Sequence, residues 1–274
     1  MPGPREQQQD GGGSGYGSGQ RGEHVRQRSA GNGSQPVIDK RDVAEQQLDL
    51  ISPSGGRVRV ALPGTAPVSS VVTGVRFAGG SYGTGFQIGP RGYHDFACAH
   101  VAPAKLRERL VVHGREVLVA EANDGESSVA TLIGAYHELM TVFAGPAPQR
   151  DRVFSLFNSL LITDKIGGMV VRPRSETLLD TMAEQVVVVV KDYGSLSIPG
   201  PRQASVLVPR HAGAPTAHGE VWKANYPGAA RGHAFILGCP KGLAEVHLTE
   251  SAATTEQDRL DWLNGIAVSW RDAS

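Results

Sequence analysis

The chain has 274 residues, with 27 basic and 27 acidic side chains, so its formal charge is zero and no global field points to nucleic acid or to a membrane surface. Its two cysteines, Cys98 and Cys239, lie far apart in unlike contexts, which excludes a disulfide framework and fits reduced thiols in a cytoplasm. No run approaches about 18 apolar residues, so neither a membrane span nor a secretory leader is expected.

Residues 1–38 open with QQQ and GGGSGYGSG and continue into a mildly basic RGEHVRQR. They hold almost no apolar side chain to offset the entropy of ordering, and the expectation is a disordered arm. Arg21, Arg26 and Arg28 are interrupted by Asp10 and Glu23, and Tyr16 is the arm's only aromatic, so base stacking is poorly provided for and nucleic acid is not an expected partner.

Asp39 to Leu50 reads as a helix with a weak face of Val43, Ala44, Gln47 and Leu48, ended by Pro53 and Gly55-Gly56. Arg57 to Leu62 alternates as a half-buried strand, and Val71 to Phe77 reads as the next. The glycine-dense GGSYGTGFQIGPRG, residues 79–92, lacks the lysine and the spacing of a phosphate loop and reads as a hairpin connection.

Tyr93 to Val101, YHDFACAHV, carries the chemistry most worth weighing. Read as a strand, it puts His94, Cys98 and His100 on one face, where imidazole and thiolate are zinc ligands or a nucleophile and its base. A Cys-x-His spacing supplies too few ligands for a closed zinc site, and a buried structural thiol is the plainer reading. No metal and no cofactor are expected.

PAKLRERL, residues 103–110, reads as a short helix with Pro in its first turn. Val117 to Ala120 and Val129 to Tyr136 read as a hairpin around Asn123-Asp124-Gly125. Farther on, Ser175 to Ala183 reads as a helix and Ser195 to Pro201 as a turn. Ala204 to Val208, Glu220 to Lys223 and Ala234 to Leu237 read as strands. The run Val186 to Val190 is β-branched throughout, the mark of a central strand buried on both faces.

Glu138 to Ile162 lies over Glu245 to Ser269 without a gap, at a constant spacing of 107 residues (138 to 245), matching Asp151-Arg152 to Asp258-Arg259 and Leu156 to Leu263. Each stretch reads as strand, small-residue loop and amphipathic helix. The first helix has a stripe of Val153, Leu156, Phe157, Leu160 and Leu161, the second one of Leu260, Leu263, Ala267 and Trp270. Thr254 with Gln257, or Thr255 with Asp258, is a capping signal ahead of the second. Upstream, His113-Gly114 matches His218-Gly219, and Ala61 to Gly64 matches Ser197 to Gly200. The expected fold is α+β, two related halves of antiparallel sheet with packed amphipathic helices, divided as residues 39–165 and 166–274.

A sheet of hairpins closed by a C-terminal amphipathic helix, here Leu243 to Thr249, the small-residue loop and the helix ending in Ser269-Trp270, resembles in outline the PsbP/Mog1-like α/β/α fold, twice in tandem. The resemblance implies an accessory, assembly or partner-binding role rather than an enzyme.

No G-x-S-x-G, H-E-x-x-H, P-loop, CxxC pair or dinucleotide fingerprint occurs. His211, His218 and His233 flank loops, and Asp164-Lys165 reads as a solvated turn. The expectation is a non-catalytic interaction or assembly protein of a bacterial cytoplasm, binding a protein partner or itself. The alternative is an enzyme or a metal or small-ligand binder using His94, Cys98 and His100. Trp262, expected at the edge of the second helical stripe, is the interface candidate.

Overall fold

Val186, Val188 and Val190 are fully or almost fully buried, while Val187 and Val189 turn to the other side of the same strand, which lies at the centre of the molecule. The structure is a computed structural model and describes residues 45–77, 85–175, 181–224 and 233–271, all within one compact unit. The arm expected at residues 1–38 lies outside the described residues, as do residues 39–44, the glycine-rich 78–84 and the middle of the helix expected at 175–183.

In chain order the first elements are strands β1 (Glu45–Ile51), β2 (Arg57–Pro63), β3 (Val68–Phe77) and β4 (Gly85–Pro90). Helix α1 (Tyr93–Phe96) follows and runs on into a π-helical turn, Ala97–Val101. Next come β5 (Ala104–Val112), β6 (Arg115–Ala122), β7 (Ser127–Ile133), β8 (His137–Ala144), α2 (Arg150–Asn158), β9 (Leu160–Lys165) and β10 (Gly168–Pro173). The remainder is β11 (Met182–Val190), β12 (Gly194–Pro199), α3 (Pro201–Leu207), β13 (Ala214–Thr216), β14 (Gly219–Ala224), β15 (His233–Cys239), β16 (Gly242–Leu248), α4 (Glu256–Gly265) and β17 (Ala267–Arg271).

Twelve of these strands form one antiparallel sheet in the order β13-β14-β15-β16-β12-β11-β3-β4-β8-β7-β6-β5. Its central joint is the β3–β11 ladder, with Val188 opposite Val71 and Val186 opposite Thr73. Outward from that joint, β4-β8-β7-β6-β5 and β12-β16-β15-β14-β13 follow the same order of connection, and β8 and β16, which carry Glu138 and Glu245, hold the same place in it. Two satellite sheets complete the fold, β1-β2-β17 and β9-β10.

The expectation of an α+β fold with packed amphipathic helices is therefore corrected. The molecule is mostly β, its large sheet is continuous rather than split into two, and its helices are short. Several segments change type. Residues 45–51 form strand β1, with Glu45, Gln47 and Asp49 exposed and Gln46, Leu48 and Leu50 half-buried. PAKLRERL contributes to β5, not to a helix, and YHDFACAHV is helical, not a strand. Gly194–Pro199 is strand β12, and residues 204–207 belong to helix α3. The match of Ala61–Gly64 to Ser197–Gly200 pairs β2 of a satellite sheet with β12 of the large one, which are not equivalent positions.

One face of the large sheet carries both cores. The first gathers Phe77, Phe86, Leu139 and Phe143 beneath Val153, Leu156 and Phe157 of α2, and Met169 and Val171 of β10 complete it. The second gathers Val186, Val188, Leu196 and Val246 beneath Trp262 and Leu263 of α4, together with Val58 and Val60 of β2. Thr255 and Asp258 close a capping box at the start of α4: the Asp258 N–H donates to the Thr255 hydroxyl at 3.1 Å and the Thr255 N–H to the Asp258 carboxylate at 2.9 Å. Trp262 is only 3% exposed, its ring 5.3 Å from that of Tyr193, so it is a core residue and not the edge anchor expected of it. Residues 165 and 168, across which the two expected halves divide, are paired across the β9–β10 hairpin.

Candidate partner-binding face

Strand alternation sends Leu139 into the first core and Met140 to the opposite face of the sheet. Among the described residues, two short helical segments cover that second face. Helix α1 and its π-helical turn rest on β8, burying Ala97 against Val129 and Met140. The contact is anchored by Glu138, which is 4% exposed: its carboxylate accepts the backbone N–H groups of Gly92 at 2.8 Å and His94 at 2.7 Å, with the Arg91 guanidinium 4.0 Å away. Two charge-assisted bonds to the first turn of the segment satisfy a carboxylate that would otherwise be costly to bury.

Helix α3 covers the other arm. Pro201 begins it, where the missing N–H is no loss, and the Gln203 side-chain amide donates to the Met182 carbonyl at 3.3 Å. None of its residues is buried, although it ends in Val206 and Leu207 and is followed by Val208. Between α3 and strand β8 runs an open groove of about 530 Å³. Val142 and Leu207 provide exposed apolar surface, Gln87, Gln185 and Gln203 amides, and Arg76, Glu184 and Glu245 charges. Gly85 leaves the floor bare, since a side chain there would meet nothing within 4 Å. Val142 in the groove is 52% exposed, and Val206, next to Leu207 on α3, is 83% exposed.

The three residues of the alternative chemistry are only partly brought together. Cys98 and His94 meet because they lie four apart in a helical segment, with Sγ 3.7 Å from Nε2, and Thr131 Oγ1 lies 2.9 Å from His94 Nδ1. His100 is exposed and instead lies against Phe96, ring centroids 5.2 Å apart. Burial pushes the His94 imidazole down and the Cys98 thiol up, with Asp95 reinforcing the latter. Both shifts favour the neutral pair, the opposite of the thiolate–imidazolium pair that makes a cysteine nucleophilic. Among the described residues, no group of three or more His, Cys, Asp or Glu side chains is placed to hold a metal ion.

Of the loop histidines, the His211 carbonyl accepts the Trp222 indole N–H at 2.8 Å, His218 lines a separate cleft beside Lys241, and the His233 side chain lies outside the described residues. Asp164, expected in a solvated turn, is instead buried and clamped by the N–H of Tyr136 at 2.7 Å and by His137 Nδ1 at 2.8 Å. The α3 groove itself escaped sequence reading. The signal available was a Gly-Pro helix start followed by Val206-Leu207-Val208, taken for a strand.

No helix among the described residues is long and apolar enough to cross a membrane. No family model, curated protein or solved structure matches the chain.

Proposed function

We propose that this is a non-catalytic interaction or assembly protein that receives a protein partner on the second face of its large sheet. The observation that carries the reading is α3, a helix with no buried residue that presents Val206 beside a groove that exposes Val142. Exposed apolar surface forgoes about 25 cal/mol for each Å² left in water, and contiguous patches of it mark docking sites. The reading rests on this surface and not on the outline resemblance to the PsbP/Mog1-like fold. Two free thiols, Cys98 and Cys239, support placement in a reducing bacterial cytoplasm.

Site-specific photo-crosslinking in the expressing cell tests it. A photoreactive residue at position 206 or 142 should trap a discrete adduct, and one at the exposed Glu126 in the β6–β7 turn should not. Equal adducts from all three positions, or none from 206 and 142, would overturn the proposal.

A further inference from the structure

On the opposite side of the molecule, the satellite strands carry a second surface of different chemistry. Leu161, Thr163 and Lys165 alternate outward along β9, opposite Arg172, Val170 and Gly168 of β10. A concavity of about 440 Å³ opens over them, lined by Arg57, Lys165 and Arg172 with Leu161, Val170 and Ile51, and no carboxylate lines it. A second concavity, of about 270 Å³, adjoins it through the shared Leu161 and Thr163, and its cationic side chains are Arg115 and Arg174, again without a carboxylate. The two, meeting at Leu161 and Thr163 of β9, are together termed the trough.

Among the described residues none of these five cations forms an ion pair. Arg172 and Arg174, among the described residues, donate to backbone carbonyls, of Ser54 and Asn158, and Arg115 reaches the Ile162 carbonyl at 3.5 Å. Asp164, the acid nearest in sequence, is turned inward to Tyr136 and His137. Arg57 is also placed directly opposite Arg271 across the β2–β17 ladder, and Asp49, whose charge acts on both, is already held by two hydrogen bonds from Arg59. A chain of zero net charge thus concentrates unpaired positive charge on one trough. Leu161, 49% exposed, and Ile166, 79% exposed at the β9–β10 turn, add apolar anchors. The lining has no exposed aromatic ring on which a base could stack, since its Phe157 is fully buried. Strand β9, among the described residues, pairs with β10 alone.

We propose that this trough binds an extended acidic segment of a partner protein, with carboxylates meeting Arg57, Lys165 and Arg172 at one end and Arg115 and Arg174 at the other, and apolar side chains resting on Leu161 and Ile166. Charge complementarity selects the occupant, and the absence of a stacking platform in the trough turns it away from single-stranded nucleic acid.

Fluorescence anisotropy on the full chain tests this with three labelled probes: a peptide of about ten alternating glutamates and leucines, its glutamine counterpart, and an oligothymidylate of similar length. The glutamate peptide should bind saturably and the glutamine peptide at least about tenfold more weakly, with affinity falling as salt rises from about 50 to about 300 mM. Arg57→Glu with Lys165→Glu should weaken the glutamate peptide at least about tenfold; if that variant does not fold, Arg57→Gln with Lys165→Gln should weaken it in the same direction. No saturable binding of the glutamate peptide, binding unchanged in the folded variant, or tighter binding of the oligonucleotide would each overturn the proposal. Val206→Glu, on the other face, should leave the peptide affinity unchanged, so failure here is distinguishable from failure of the α3 surface.

Discussion

Glu138 and His94 are joined by a 2.7 Å hydrogen bond from the His94 backbone N–H to the Glu138 carboxylate, whose other oxygen takes the Gly92 N–H at 2.8 Å. This is how a helix of only four residues, extended by a π-helical turn, is held on the sheet. Glu138→Ala strands both donors and should lower stability by about 2–3 kcal/mol, with Glu138→Gln, which keeps one acceptor, losing less. Urea midpoints measure both; a loss under about 0.5 kcal/mol for the alanine variant would show that the bonds are immaterial.

Trp262→Ala removes a buried indole from the second core and should cost about 3–5 kcal/mol. Sedimentation should show an unchanged mass for the folded fraction. A stable variant with altered mass would restore Trp262 to an interface.

Gly194 opens β12 at φ +143°, and a side chain there would sit 2.0 Å from the His247 carbonyl oxygen. Gly194→Ala should prevent folding or shift the β12–β16 pairing. Gly64→Ala provides the contrast: φ is +83° but nothing lies within 4 Å, so only backbone strain of about 1 kcal/mol is expected. Equal thermal midpoints for the two variants would contradict the clash.

Asp164 carries a pH dependence. Burial acts to raise its pKa, but the hydrogen bonds from the Tyr136 N–H and from the His137 ring and backbone outweigh it, and the net shift is downward. A depressed folded pKa means stability that is present above the unfolded-state value and lost as pH falls through the folded one. Asp164→Asn should therefore be less stable than wild type at neutral pH. The gap should narrow below the ordinary carboxylate range and close once Asp164 is protonated in both states. A gap constant down to the acid limit would assign the loss to packing instead.

Cys98 should react slowly with iodoacetamide at neutral pH, because burial and Asp95 both hold its thiol up. The rate should stay below that of a small free thiol and rise with pH. Faster alkylation than the free thiol would reopen the thiolate–imidazole alternative.

The sequence disclosed faces better than neighbours. The β6 and β7 strands and the Val153, Leu156 and Phe157 part of the α2 stripe were legible, because each is a local period meeting one buried surface. The valine run was legible as central but not as buried on both faces, since Val189 is exposed, and Leu160 and Leu161 of the stripe belong to β9. Short segments that satisfy both periods were not legible. His94 and Cys98 share a strand face by alternation and also lie one helical turn apart, and only Glu138, distant in sequence, decides between the two. Leu106 and Leu110 have helical spacing, yet pairing with β6 through an irregularity at Leu106/Glu108 makes that stretch an edge strand. In residues 45–51 the alternation of Leu48 and Leu50 with exposed Gln47 and Asp49 was present but was overridden by a weak helical reading. The continuity of the large sheet rests on β3 meeting β11, a pairing set by tertiary contact rather than by any local pattern. The groove beside α3 depends on that same continuity, so it was equally invisible.

Strand β2 has consequences for the order in which the protein is made. The first core draws on residues from Val75 to Val171 and can close while the chain is still emerging, whereas Val58, Val60 and Leu62 belong to a core whose other members run from Val186 to Val268. During synthesis these early residues wait with β1 as their sheet neighbour until β17, far along the chain, pairs with β2. A chain cut short within α4 would thus leave β2 exposed along with the strands of the second core, and a nascent-chain chaperone would meet it there.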